Sequence, residues 1–220
     1  SDYLPMKIFR TDILSQIQKN YFLKKRYNLI NKIIINNSSL SAEEGNKLTN
    51  VISGNSNQTA IYISTEVNKI INFKNNYKLK PRSKIIISGL SNTKELNVND
   101  NSQSLSFNYN NLFQENKYFG SDKKEEGSRL VLALEQKINI KNGLNLGVNY
   151  GRIYNFEKNK NLMKDINQNS QLSDHLTELS LSFSNNKFRY NSRHDKRNFE
   201  LKEDSLSYIL INGDNMIKLN

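Results

Sequence analysis

Residues 129–154, RLVLALEQKINIKNGLNLGVNYGRIY, alternate apolar and polar positions on both sides of a turn. Successive side chains of a strand point to opposite faces, so Leu130, Leu132 and Leu134 share one face. After the turn Leu144, Leu146, Val148 and Tyr150 share a face, while Asn145, Gly147, Asn149 and Gly151 take the other. Asn142-Gly143 supplies the positive φ of a tight connection. The pattern predicts an antiparallel hairpin with Leu130, Leu132, Leu144 and Leu146 on one outward face.

The same alternation recurs. TAIYISTEV sets Ile61, Ile63 and Thr65 against Tyr62 and Ser64. YKLKPRSKI sets Tyr77, Leu79, Pro81 and Ile85 against Lys78, Lys80, Arg82 and Lys84. SLSFNY sets Leu105, Phe107 and Tyr109 against Ser104, Ser106 and Asn108, and ELSLSF sets Leu179, Leu181 and Phe183 against Glu178, Ser180 and Ser182. KFRYNSR and DSLSYILINGDN follow, the latter with a second Asn-Gly signal. Short strands with turn residues between them read as all-β. Three segments fit less well. In residues 10–36 the first half has helix spacing at Ile13, Ile17 and Tyr21, and the second half suits a strand. Residues 37–57 and 157–174 are polar and read as loops, the latter with a short helical turn around Leu162 to Ile166.

Pattern alone leaves two architectures open. One is a soluble β-sandwich. The other is a membrane barrel, with Leu, Ile and Phe toward lipid, Tyr near strand ends and a Ser, Asn, Gly, Lys and Arg face toward a wet lumen. No run approaches the length of a transmembrane helix. Only 36% of the 220 residues are apolar, thin for a large dry core.

The net charge of +11 suits an acidic partner: nucleic acid, anionic lipid or a phosphorylated glycan. AT-rich coding, which favours Lys, Asn and Ile together, accounts for the total without one. The local run Lys78, Lys80, Arg82, Lys84 is sharper than such bias and predicts a basic face, lining the lumen if the sheet is a barrel. Cysteine is absent, so no disulfide framework or thiol chemistry is available in this segment. The chain lacks an initiating Met and a signal peptide and is expected to be a piece of a longer protein.

Catalytic chemistry finds no footing. His175 and His194 lack metal-ligand spacing, and no metal site or cofactor is expected. Ser173-Asp174-His175 is no triad, because strand neighbours point apart. Glu125-Glu126 beside Lys123-Lys124 reads as a solvated charged loop. The chain is not expected to be an enzyme.

Residues 106–134 carry a more specific signal. Leu112-Phe113 is followed by Asn116, Lys117, Tyr118, Gly120, Asp122, Lys123, Gly127 and Arg129. This resembles the outer-membrane lipopolysaccharide (LPS) assembly family, LptD/OstA, whose members carry Leu-Phe and then N-R-F-x-G-x-D-R-x-x-x-G-x-R. Lys117, Tyr118 and Lys123 replace Arg, Phe and Arg with charge or aromaticity kept. LKPRSKIIIS resembles the family's L-E-P-R strand with Lys80 in place of the acid, and the likeness extends over residues 77–210.

The resemblance implies a partial antiparallel up-and-down transmembrane β-barrel over residues 1–220, without the family's N-terminal periplasmic domain. It implies delivery of LPS from the periplasm to the outer leaflet, at the cell outer membrane. Implied partners are LPS, outer-membrane lipid, a plugging lipoprotein and a periplasmic bridge protein, with no nucleic acid. Leu112, Phe113, Asn116, Gly120, Asp122, Gly127 and Arg129 are then a structured loop joining two barrel strands, with Asp122 paired to Arg129 or Lys123. The alternatives are a passive porin or adhesin-type barrel, and a soluble β-sandwich that binds acidic glycan or nucleic acid.

Overall fold

A computed structural model describes residues 7–23, 27–43, 54–73, 76–92, 103–104, 107–119, 124–140, 143–156, 171–212 and 215–219. Its strands are β1 (Lys7–Leu23), β2 (Tyr27–Glu43), β3 (Gly54–Asn68), β4 (Ile71–Asn72), β5 (Tyr77–Asn92), β6 (Gln103–Ser104), β7 (Tyr118–Phe119), β8 (Gly127–Asn139), β9 (Asn145–Asn155), β10 (His175–Phe183), β11 (Asn186–His194), β12 (Leu201–Asn212) and β13 (Asn215–Leu219). An 11-stranded sheet runs β1-β2-β3-β5-β8-β9-β10-β11-β12-β13, with the short β4 also on β5. Neighbours pair antiparallel in chain order, an up-and-down meander interrupted by one large excursion between β5 and β8. The sheet does not close among the described residues, as expected of part of a barrel.

The polarity of the sheet is inverted relative to a water-soluble protein. Ile17, Ile33, Ile63 and Ile87 stand opposite one another across four strands on the outer face, all exposed. Leu132, Val148, Leu179 and Leu206 continue the exposed apolar surface. The inner face carries cross-strand rows of polar groups: Lys80, Glu135, Asn149, Glu178 and Asn191 face one another in turn across β5, β8, β9, β10 and β11. A period of two puts most apolar residues of these strands on one side and most polar ones on the other, except where the inner face is covered.

The buried hydrophobic cluster joins Ile86, Val131, Ile153 and Leu176 of the inner face to Phe107, Tyr109 and Leu112 of the β5–β8 insert. The core therefore lies under the insert and not between two sheets, and the β-sandwich alternative falls. The β8–β9 hairpin forms as its sequence predicts. Gly143 has φ +76°, and the Ile140 N–H donates to Leu144 O at 2.7 Å.

The two rims differ. Along one, the strands are joined through residues 24–26, 69–76, 140–144, 184–185 and 213–214. Along the other, the connections are residues 44–53, 93–126, 156–174 and 195–200.

Several local expectations are corrected. Ile13, Ile17 and Tyr21 lie in β1, not a helix. Their four-residue spacing satisfies both periods, because it is also an even number, and pairing with β2 decides for the strand. Much of the polar segment 37–57 continues β2 and β3, with Asn37 opposite Thr59 and Leu40 opposite Ser56. Residues 44–53 and the helical turn expected near Leu162 to Ile166 lie outside the described residues. Phe107 and Tyr109 do not continue a strand: a 3-10 turn spans Tyr109–Asn111, capped by Asn108.

Candidate functional site

The insert enters from the rim with the larger connections and folds back onto the inner face. Its turn is built by asparagines: Asn108 Oδ1 accepts the Asn110 N–H at 3.0 Å, and Asn111 Oδ1 accepts the Asn108 N–H at 3.2 Å. Local side-chain bonds of this kind draw the backbone out of the ladder. The turn delivers Leu112 into the wall, fully buried. Phe113 follows, with the Arg82 guanidinium 3.7 Å from its ring centroid.

Charge then anchors the segment at two places. Glu115 takes Lys84 Nζ at 2.6 Å, Lys32 Nζ at 3.2 Å and Ser64 Oγ at 3.0 Å, tying the insert to β5, β2 and β3. Lys84 also donates to Phe113 O at 2.7 Å. The second anchor is Glu125, only 2% exposed, which holds Lys117 Nζ at 2.8 Å and Arg129 Nη2 at 3.0 Å. Arg129, 1% exposed, also donates from Nη2 to Glu115 O at 2.6 Å and to Gln114 O at 3.2 Å. Asn116 Oδ1 accepts the Glu125 N–H at 3.0 Å, closing the segment on itself.

Lys124 reaches the other way. Its Nζ donates to Ser38 Oγ at 2.8 Å, Gln58 O at 3.1 Å and Asn36 O at 3.3 Å, pinning the segment to β2 and β3. Tyr109 OH donates to Glu135 Oε1 at 3.1 Å.

Burial shapes the ionisation of this network. For Glu125, desolvation favours the neutral acid, but Lys117 and Arg129 outweigh it and hold the carboxyl below its ordinary range. The same balance holds for Glu115, where Lys84 and Lys32 prevail. Burial, then the nearby Arg129 charge, push Lys117 down to about 8 against the pull of Glu125.

The sequence singles out some of these residues and misses others. Leu112, Phe113 and Asn116 lie in the insert, Arg129 of β8 holds it through Gln114 O and Glu115 O, and Gly127 (φ +106°) begins β8 where the chain leaves it. Gly120 and Asp122 lie outside the described residues, as does the pairing expected of Asp122. Among the described residues Arg129 is held by Glu125. The reading of a solvated charged loop is corrected at Lys124 and Glu125, which are both buried, while Lys123 lies outside the described residues. Lys32, Ser64, Glu66 and Glu135 carry no local signal. Only their place on inner-face positions of alternating strands marks them.

The basic run divides in two. Lys84 and Arg82 are committed to acids: Lys84 to Glu115, and Arg82 to Glu66 at 2.9 Å and Glu135 at 2.5 Å. Lys80 shares Glu135 at 3.3 Å, and Lys78 stands exposed near the small-connection rim. The face is therefore a mixed ionic network over half of its length. His175 and His194 lie opposite each other on the outer face, His194 stacked on Phe199 and His175 tilted against it. Ser173 and Asp174 are buried away from them, and no cluster of metal-ligating side chains occurs among the described residues.

A comparison with curated proteins finds no match. A family model described as LPS transport system D, LptD, matches residues 35–213, from within β2 past the end of β12 and including the insert. The antiparallel meander, its inverted polarity and the docked insert all fall within that match, and the chain belongs to the LptD family of LPS transport proteins.

Proposed function

We propose that the chain is part of an outer-membrane translocon that carries LPS from the periplasm to the outer leaflet. The observation that supports this is the inverted polarity of the sheet in a chain of this family: exposed Ile63, Ile87 and Leu132 outside, and the Glu66, Lys84 and Glu178 network inside. Such a wall suits an amphiphile whose acyl chains go to lipid while its saccharide stays wet. No bond is made or broken. The rim with small connections is assigned to the periplasm, as turns are in outer-membrane barrels, and the insert then covers the inner face from the outer rim. A lipoprotein filling the remaining lumen and a periplasmic bridge protein supplying LPS complete the reading.

The test is depletion of the whole protein in its own cells. The expected result is LPS retained behind the outer leaflet and increased sensitivity to large antibiotics. Unchanged surface LPS after depletion overturns the reading.

A further inference from the structure

On the inner face near the small-connection rim, Lys78 of β5 lies directly opposite Lys137 of β8. Like charges at facing positions of a ladder repel, and such pairs are destabilising unless something compensates. Among the described residues no acid lies in ion-pair range of Lys78, Lys137 or Lys187, and Glu135 is already shared by Arg82 and Lys80. Three strands along from Lys137, Lys187 faces Ser182 across β10 and β11.

These groups line one cleft of about 300 Å³ together with Lys80, Asn145 and Ser182. Its floor is kept low at Gly147, where a Cβ would overlap Ser180 Oγ. Four ammonium groups against one shared carboxylate leave a strong positive excess, while amide and hydroxyl groups on the floor suit sugar hydroxyls. Toward the other rim the rows are balanced: Glu115, Glu125 and Glu178 meet Lys84, Arg129 and Arg189.

We propose that this cleft is a docking site for the phosphate groups of a phosphorylated saccharide lipid on its way in from the periplasmic side. The inference rests on the transport reading above and names the residues of the wall that first meet the cargo. A lysine is a mobile point charge with three donors, and several of them around an open cleft retain a phosphate while letting it leave. A passing ligand needs that balance between capture and release.

The experiment measures LPS affinity of the whole purified protein in detergent, for the wild type and for Lys78→Gln/Lys137→Gln/Lys187→Gln. Native and dephosphorylated LPS are compared, and folding is checked by heat-modifiable mobility. The expected result is at least a tenfold loss of affinity in the triple variant for native LPS and none for dephosphorylated LPS. Lys137→Arg/Lys187→Arg, which keeps the charge, is expected to bind as the wild type and serves if the triple variant folds poorly; weakened binding by this pair overturns the site. A folded triple variant with unchanged affinity overturns the site and leaves the transport reading standing. Wild-type protein that binds neither form of LPS overturns both. Competition by inorganic phosphate at concentrations equal to LPS marks a general anion site and overturns the assignment.

Discussion

Leu112 of the insert lies in a notch that exists because residue 151 is glycine. A Cβ at Gly151 would overlap Leu112 Cδ2 and come within 3.2 Å of both Ala133 Cβ and Leu132 O. The leucine has room to retreat with the insert, but the backbone carbonyl of the neighbouring strand does not. Gly151→Ala is therefore expected to dislodge the insert before it disturbs the wall. Overpacking of this kind costs about 1–3 kcal/mol. Limited proteolysis within residues 107–126 should accelerate in Gly151→Ala and return toward wild type when Leu112→Ala is added. Unchanged cleavage in the single variant counts against the notch.

Glu125 balances two buried cations, Lys117 and Arg129. Removing one partner of a buried pair leaves an uncompensated charge, a loss of about 3–5 kcal/mol. Glu125→Gln should therefore sharply lower the amount of folded protein in the membrane. Glu203→Gln is the control, because Glu203 meets Arg193 with its side chain 40% exposed, where a salt bridge contributes about 0–1 kcal/mol. Equal levels of the two variants, read as heat-modifiable protein in membrane fractions, contradict the buried anchor.

The same network sets a pH dependence. Glu115 and Glu125 both titrate below their ordinary value of 4.5 in the folded state. Their contribution to docking is fully present above that value and is lost as pH falls through the depressed folded values. Lys117 works in another window. Its folded value of about 8 lies below the ordinary 10.5, so the undocked state binds more protons between the two and docking strengthens as pH rises through that range. Hydrogen exchange at the Leu112 and Lys117 amides, after correction for intrinsic rates, should be fastest in acid, and should slow further as pH rises from about 8 toward 10.5. A flat profile removes the ionic account.

The outer face makes a prediction of depth. Leu132→Arg places a cation among exposed apolar side chains, and near mid-membrane this costs about 2–4 kcal/mol. Gln16→Arg, on the inner face of β1 opposite Ile34, should be tolerated. Folded levels in lipid vesicles separate the two, and equal tolerance argues against lipid on the Leu132 side.

The strands were legible because two-residue alternation is a local signal, and Leu130, Leu132 and Leu134 carry it without help from elsewhere. Ile13, Ile17 and Tyr21 were ambiguous because one spacing serves two periods. The docked insert was legible only as a motif. Its burial depends on Lys32, Ser64 and Lys84, which lie 83, 51 and 31 residues from Glu115. Charges gathered from such distances look solvated when read in sequence, as Lys124 and Glu125 did. The division of the basic run had the same cause, since the acids that claim Arg82 and Lys84 come from β3, β8 and the insert.

Strands β5 and β8 pair directly from Tyr77 opposite Ile138 to Ser88 opposite Gly127. The insert is thus an excursion leashed at both ends to a single hairpin. Lifting it breaks side-chain bonds and uncovers Ile86, Val131, Ile153 and Leu176, yet removes no rung from the ladder. Its effective concentration at the wall is fixed by the leash and independent of how much protein is present. Undocking and unfolding are consequently separate events, and a wall built this way can change what its lumen admits while its strands stay in register.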